Sequence, residues 1–474
     1  MAPQEVILSA CSSEASGSTA PGRPSSTPAL HIHDLLTSAH LHAFKTSTSS
    51  PNCVTYVPSS DSRGGSIFAS QEGKALVHVW AWQKDQLSLK LHLPEKLTCF
   101  VVSPNGCWAA GGSGSGQIYL WEISSGLLVA SITAHYRAIT TLTFTTDSRI
   151  LLSSSLDASV HVFLVSRLMD EEDPGSSGKP YGSLADHTLA VRAVSVGRTA
   201  GSSGGRCWTA SDDGTIKVWS LRPPFNLLTT FTLPTSLVPS TLSVDPLERF
   251  FYVGTTSGEV FHVPLFKRRN QVGDLAAIGG GGDGSPPIKT EGSVISLKSP
   301  ITSLALSLSA THLLVGSHSG EIHVYSLPSH QHLRAISSHG SPITHLSTLP
   351  RPPDLVGTSF KPEDWPAMEV KPFERMRVGK PAREVQETTL LLRPSPAAID
   401  RLEALHPPRS WKDYAPPPIV TASDGDNMAE ILADNKRLKA QLDRAVRINE
   451  KMWTAVVDLK MTESDTNGHM ETDL

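Results

Sequence analysis

The sequence predicts an all-β chain: a seven-bladed β-propeller followed by a Pro-rich linker and a C-terminal coiled-coil helix. Three observations predict it. A hairpin unit recurs seven times along the first 350 residues, at a spacing that suits four strands per unit. A Pro-rich stretch with no regular alternation follows, and the region after it is free of Pro and Gly and carries an apolar heptad pattern.

The fullest copy of the unit is CWTASDDGTIKVWS, from Cys207 to Ser220. Thr209, Ala210 and Ser211 alternate along a first strand, Asp212, Asp213 and Gly214 supply residues that tolerate positive φ, and Ile216 and Val218 alternate with Lys217 toward Trp219. The Trp219 position is filled in the other six copies by His33, Trp80, Trp121, Phe163, Val263 and Tyr325, with successive spacings of 47, 41, 42, 56, 44 and 62 residues. The two long intervals contain insertions, near Asp170 to Gly182 and between Asn270 and Gly292. Upstream of the hairpins lie the first strands of the units, for instance LTCFVVSPNG from Leu97, ITTLTFTTDS from Ile139 and ITSLALSLSA from Ile301, most of them running into a turn-forming segment. The N-terminal segment Glu5 to Ala10 (EVILSA) already reads as a strand, but its unit lacks a fourth. ITHLST, from Ile343, is expected to supply it and close the ring.

The boundaries follow as 1–350 for the propeller, 351–424 for a Pro-rich linker or wrapping tail, 425–462 for the coiled-coil helix and 463–474 for a disordered tail. Within the linker, Glu387 to Arg393 (ETTLLLR) reads as a short strand or docking motif. In the helix, Met428, Ile431, Asn435, Leu438, Leu442, Ala445, Asn449, Met452, Val456 and Leu459 recur at alternating spacings of three and four. Asn435 and Asn449 both fall at a positions, which favours a parallel two-stranded pair, so a homodimer is expected.

Composition narrows the classes. A net charge of −4 gives no overall electrostatic footprint for nucleic acid, and the one dense basic run in the propeller, Lys267, Arg268 and Arg269, leaves direct nucleic-acid contact open. Five cysteines without CxxC spacing suit a reducing compartment, and no apolar run approaches a membrane span, so a soluble, intracellular protein without membrane contact is expected. No metal or cofactor motif is expected: GGSGSG from Gly111 lies between two strands, with no helix after it to hold a phosphate, and no histidine pair has HExxH-like metal spacing.

His187, Thr209 and Asp213 have the residue types of a catalytic triad. Their spacing relative to Trp219 instead fits four groups that satisfy one another inside a blade, and His135, Ser153, Asp157 and Phe163 repeat it without the indole donor. A catalytic site would not recur at the blade period, so no enzyme is expected. The repeat resembles the WD-repeat family, although no copy keeps a strict Trp-Asp pair; Trp121 with Glu122 and His33 with Asp34 come nearest.

Longer motifs carry a narrower resemblance: VHVWAWQKDQ from Val77, LPEKL from Leu93, SPNGCWAAGGSGSGQIYLWE from Ser103 and AHYR from Ala134. They are similar to the fungal pre-rRNA-processing WD-repeat subunits named for internal transcribed spacer 2 (the IPI three subunit family), related to animal WD repeat-containing protein 18. The resemblance implies a non-catalytic scaffold in a nuclear complex, nucleolar and nucleoplasmic, that acts on precursors of the large ribosomal subunit (pre-60S particles). It also implies partnership with a Rix-type helical-repeat scaffold, a second small processing subunit and the midasin AAA ATPase, and a link to DNA replication licensing. The competing readings are a WD-repeat substrate adaptor of a ubiquitin ligase, for which no F-box or ligase-docking helix is visible, and a propeller enzyme of the hydrolase kind, for which no set of metal or carboxylate ligands at the central channel is identifiable.

Overall fold

The computed structural model describes residues 4–12, 29–45, 47–58, 65–82, 86–169, 178–198, 205–234, 237–268, 275–278, 286–337, 339–351, 370–376, 435–441, 443–444 and 447. The chain divides into two units, 1–395 and 396–474. The first is a seven-bladed β-propeller. Its innermost strands, blade by blade from the ring closure, are Ile343–Pro350, Ser49–Pro58, Leu97–Val102, Ile139–Phe144, Val191–Val196, Pro239–Val244 and Ile301–Leu306.

Blade 1 joins the two ends of the propeller. Glu5–Cys11 pairs antiparallel with Ala29–Asp34 on one side and with Ile343–Pro350 on the other, in register from Glu5 opposite Pro350 to Cys11 opposite Ile343. Every residue of Glu5–Cys11 is buried, which is why EVILSA carries no polar alternation. The closure is pinned at its lower end as well. The Glu5 carboxylate accepts the backbone N–H groups of Leu308 and Ser309 in blade 7 at 2.9 and 3.0 Å, and Arg351 pairs with Asp34 at 3.1 Å.

The hydrophobic core is seven clusters, one between each pair of neighbouring blades. A single blade buries one apolar face on the blade before it and the other on the blade after it, so no blade is stable alone and the ring is the cooperative unit. The inner strands share one irregularity. Each carries a β-bulge, whose extra residue is Thr98, Thr140, Arg192, Ser240, Thr302 or Thr344 in six blades, and blade 2 has a longer register shift between Ser49 and Val54. In three blades the bulge turns the extra side chain toward the next blade. The hydroxyls of Thr98, Thr140 and Ser240 each donate, at 2.7 Å, to the first inner-strand carbonyl of the next blade, those of Ile139, Val191 and Ile301.

Both long intervals are accounted for locally. After blade 4's third strand the chain forms a short helix, Val165–Met169, before the outer strand Gly182–Leu184. After blade 6's third strand, Phe266–Arg268 and Leu275–Ala277 make a separate hairpin. Ile288–Lys289 then adds in parallel to the outer strand of blade 5, and Ile295–Ser296 completes blade 6.

The linker is not featureless. Residues 370–376 lie against blade 3 as a strap, with Phe373 only 5% exposed. In the second unit, residues 435–441 are helical, and Asn435 and Leu438 are exposed. The other seam positions, Met428, Ile431, Leu442, Ala445, Asn449, Met452, Val456 and Leu459, lie outside the described residues, as do Glu387 to Arg393.

Candidate interaction site

The candidate sites are the two faces of the ring, its channel and the groove on blade 3, and the blade interiors set their geometry. In blade 5 the strands Arg206–Ser211 and Thr215–Ser220 are opposed so that Thr209 faces Lys217 and Cys207 faces Trp219. The Trp219 indole donates to the Thr209 hydroxyl at 3.0 Å, and that hydroxyl lies 2.7 Å from His187 Nε2. His187 Nδ1 stands 3.1 Å from the Asp213 carboxylate, which also accepts the Thr188 N–H and the Thr215 N–H and hydroxyl. The Asp213 carboxylate can only accept, so His187 Nδ1–H donates to it and Nε2 faces the Thr209 hydroxyl. Burial disfavours the Asp213 anion, but the hydrogen bonds from His187 and Thr215 outweigh it and hold the carboxyl well below its usual range.

Blade 4 repeats the arrangement: His135 Nε2 is 2.8 Å from the Ser153 hydroxyl and Nδ1 is 2.9 Å from Asp157. Burial lowers the pKa of His135 despite the opposing pull of Asp157, which favours its neutral form. Phe163 has no donor to offer Ser153. Instead His161 stacks on His135 with ring centroids 4.5 Å apart.

A third cell, at the ring closure, escaped the sequence reading. The Ser9 hydroxyl lies 2.8 Å from His339 Nε2 across 330 residues of chain, and His31 packs edge-on against His339 at 4.5 Å. Burial pushes the His339 pKa down to about 3. The signal was present: His135, His187 and His339 each stand four residues before the first residue of an inner strand, Ile139, Val191 and Ile343. It was hidden because the partner hydroxyl belongs to the opposite end of the propeller segment. The other four blades put Ala69, Gly111, Val253 and Val315 where a hydroxyl would stand.

These cells cannot act as catalysts where they lie. The Ser153, Thr209 and Ser9 side chains have no exposed surface, so a substrate could not reach their hydroxyls. What they do is fix the loops at the upper face. Asp157 and Asp213 hold the backbone N–H groups of Tyr136 and Thr188, presenting Tyr136, which is 99% exposed, on a rigid turn.

In blade 3 the small Gly111 leaves the Trp121 indole without a hydroxyl, and the strap uses that donor. Trp121 Nε1 donates to the Glu374 carbonyl at 2.9 Å, and Phe373 stacks on the indole with centroids 5.1 Å apart and planes 7° from parallel. Backbone bonds from Lys371 to Ile123 and from Glu374 to Gly126 fix its register. Gly126 has φ of +76°, and a side chain there would run into the Pro372 carbonyl, so the site needs glycine on both counts.

The channel, about 1010 Å³, is lined by the inner strands of all seven blades, including Thr98, Thr140, Ser240, Thr302 and Thr344. Arg192, at its upper mouth, makes a bidentate pair with Asp212 at 2.9 Å. Among the described residues no group of His, Cys, Asp or Glu side chains is placed to hold a metal ion, and no helix is long and apolar enough to cross a membrane.

Comparison with known proteins places this architecture. The family model for the WD domain, G-beta repeat, matches residues 178–220, the part that contains the blade 5 cell, and the WDR54 model matches residues 60–176. The chain is 36% identical over 321 residues to the pre-rRNA-processing protein IPI3 of Yarrowia lipolytica, covering 67% of this chain and 72% of that protein. It is 32% identical to the pre-rRNA-processing protein crb3/ipi3 of Schizosaccharomyces pombe, covering 72% and 77%. WD repeat-containing protein 18 of Rattus norvegicus is 28% identical, over 63% of this chain and 66% of that protein. By fold, by repeat and by these relatives, the chain belongs to the IPI3 family of WD-repeat proteins.

Proposed function

We propose that this chain is a non-catalytic scaffold subunit of a nuclear complex that processes pre-rRNA at internal transcribed spacer 2 and serves assembly of the large ribosomal subunit. The observation that carries the reading is family membership, since the curated relatives are named for pre-rRNA processing. The architecture supports it: a closed ring whose triad-like groups are sealed inside the blades offers faces to partners rather than a reacting group to a substrate.

The proposed partners are a helical-repeat scaffold of the Rix type, a second small processing subunit, the midasin AAA ATPase and pre-60S particles. The chain is further proposed to homodimerise through Met428 to Leu459 and to share the family's link to DNA replication licensing. Dimerisation would make it bivalent, because two propellers joined through one dimeric helix can engage two copies of a partner.

Affinity purification of the tagged full-length chain from nuclear extract, with identification of proteins and RNA, tests the reading. Recovery of ribosome-assembly factors with spacer-containing pre-rRNA is expected. Recovery of ubiquitin-ligase subunits without assembly factors would replace the reading with a substrate adaptor.

A further inference from the structure

In every blade the chain enters the inner strand at the upper face, so the turns after the first and third strands all open on the lower face. Over blades 4 to 6 those turns bring together cations that the sequence scatters across more than a hundred residues: Arg149, Arg198, Arg206, Arg222, Arg249 and Lys267. The turns adjoin one another. Thr146 of blade 4 donates its hydroxyl to the Arg198 carbonyl of blade 5 at 3.3 Å, and Arg206 of blade 5 pairs with Glu248 of blade 6 at 2.6 Å.

The described side chains of these turns carry three carboxylates, and two of them lie behind the arginines. Asp245 and Glu248 have side chains 0% and 1% exposed, while their partners Arg249 and Arg206 are 50% and 38% exposed. Asp147 is near Arg149 at only 3.9 Å. Arg198, Arg222 and Lys267 make no ion pair among the described residues. Two guanidinium groups are therefore held in fixed orientation by buried carboxylates, with further cations around them, on a chain whose net charge is −4. Arg198, Arg222 and Lys267 thus leave a local excess of positive charge on a molecule of net negative charge, and such an excess attracts anions. The acidic run Asp170 to Asp173 lies outside the described residues and is left unaltered in the test below.

We propose that the lower face of blades 4 to 6 is an RNA-binding surface that grips the phosphodiester backbone without reading sequence. The cations are chiefly arginines, whose planar forks match phosphate oxygens, and they are spread over three blades rather than gathered in a pocket for one small anion. Arg249 lies over the Phe250 ring at 5.4 Å, so an apolar surface supports the cationic one. This inference rests on the pre-rRNA reading above for its choice of RNA over an acidic protein.

The test is fluorescence anisotropy of the full chain with two labelled RNAs of equal length, one of spacer 2 sequence and one unrelated, over a salt series. The variant R198E/R222E/K267E reverses three exposed charges, and K74E/K96E/K298E does the same on the upper face; thermal melting shows that both fold. The lower-face variant is expected to bind both RNAs at least tenfold more weakly, with the slope of log affinity against log salt smaller by about 2, while the upper-face variant binds as the parent does. Unchanged affinity in the lower-face variant, or equal loss in both, overturns the proposal. So does polyglutamate binding more tightly than RNA, which would assign the face to an acidic protein. The two readings fail separately: a lower-face variant that loses RNA in vitro from a chain that never recovers pre-rRNA condemns the pre-rRNA reading alone, and undiminished RNA binding by a chain that does recover it condemns the surface alone.

Discussion

At the scale of residues, the blade cells make this protein's stability depend on groups that resemble catalytic ones. Replacing Asp213 with Ala leaves His187 without its acceptor in a buried site and is expected to cost about 1 to 3 kcal/mol, measured as a shift in the denaturant midpoint with an unchanged slope. The histidines predict a pH dependence whose sign is fixed. His31, His33, His78 and His161 have pKa values lowered to about 4 and His339 to about 3, by burial first in each case. The unfolded chain takes up protons near 6.5, before the folded one does, so stability is fully present above that value and falls as pH drops from 6.5 toward 4. His339→Gln keeps an amide for Ser9 and removes the titration, so the loss between pH 6.5 and 4 should be smaller than in the parent. An identical pH profile would show that His339 is not held neutral. Asp213 belongs to a different window, because its depressed pKa gives stability present above its ordinary value near 3.8 and lost below it. The spacing of His187, Thr209, Asp213 and Trp219 could be read from the sequence because all four lie within one blade's run of chain; Ser9 and His339 are 330 residues apart, and their pairing follows only when the expected ring closure is combined with the place of His339 four residues before its inner strand.

At the scale of elements, the strands were legible and their partners beyond the blade were not. Alternation located the hairpins, since a strand buried on one face must alternate, and the unalternating EVILSA is explained by a place between two strands with both faces covered. The strap was invisible, because Val370 to Met376 has no period and is recognised only by the Trp121 surface it covers. Phe373→Ala removes the stacked ring and is expected to weaken docking of the strap by about 3 kcal/mol. Hydrogen exchange should then speed up at Lys371 and Glu374, whose amides bond to Ile123 and Gly126, while the strands of blade 3 stay protected. Exchange at those amides that matches the parent would mean that the strap is held without the ring. In the second unit, changing Leu438 and Leu442 together to Asp is expected to convert a dimer of residues 420–474 into a monomer by light scattering. A monomeric parent peptide at tens of micromolar removes the homodimer.

At the scale of the whole molecule, closure is the feature on which the rest depends. Deleting residues 1–11 removes the strand that joins Ala29–Asp34 to Ile343–Pro350 and the Glu5 anchor on Leu308 and Ser309. Soluble yield should fall sharply, and a truncated chain that melts at the parent temperature would contradict the closure. The ring gathers lower-face cations from separate blades, one cell from the two ends of the propeller and a channel from seven inner strands, so these surfaces are legible only after the blades are assembled. The proposed role in pre-rRNA processing is tested by depleting the chain from cells and measuring precursors that retain internal transcribed spacer 2. Their accumulation, reversed by the parent chain but not by the chain lacking residues 1–11, is the predicted result; unchanged precursor levels after complete depletion would contradict the claim.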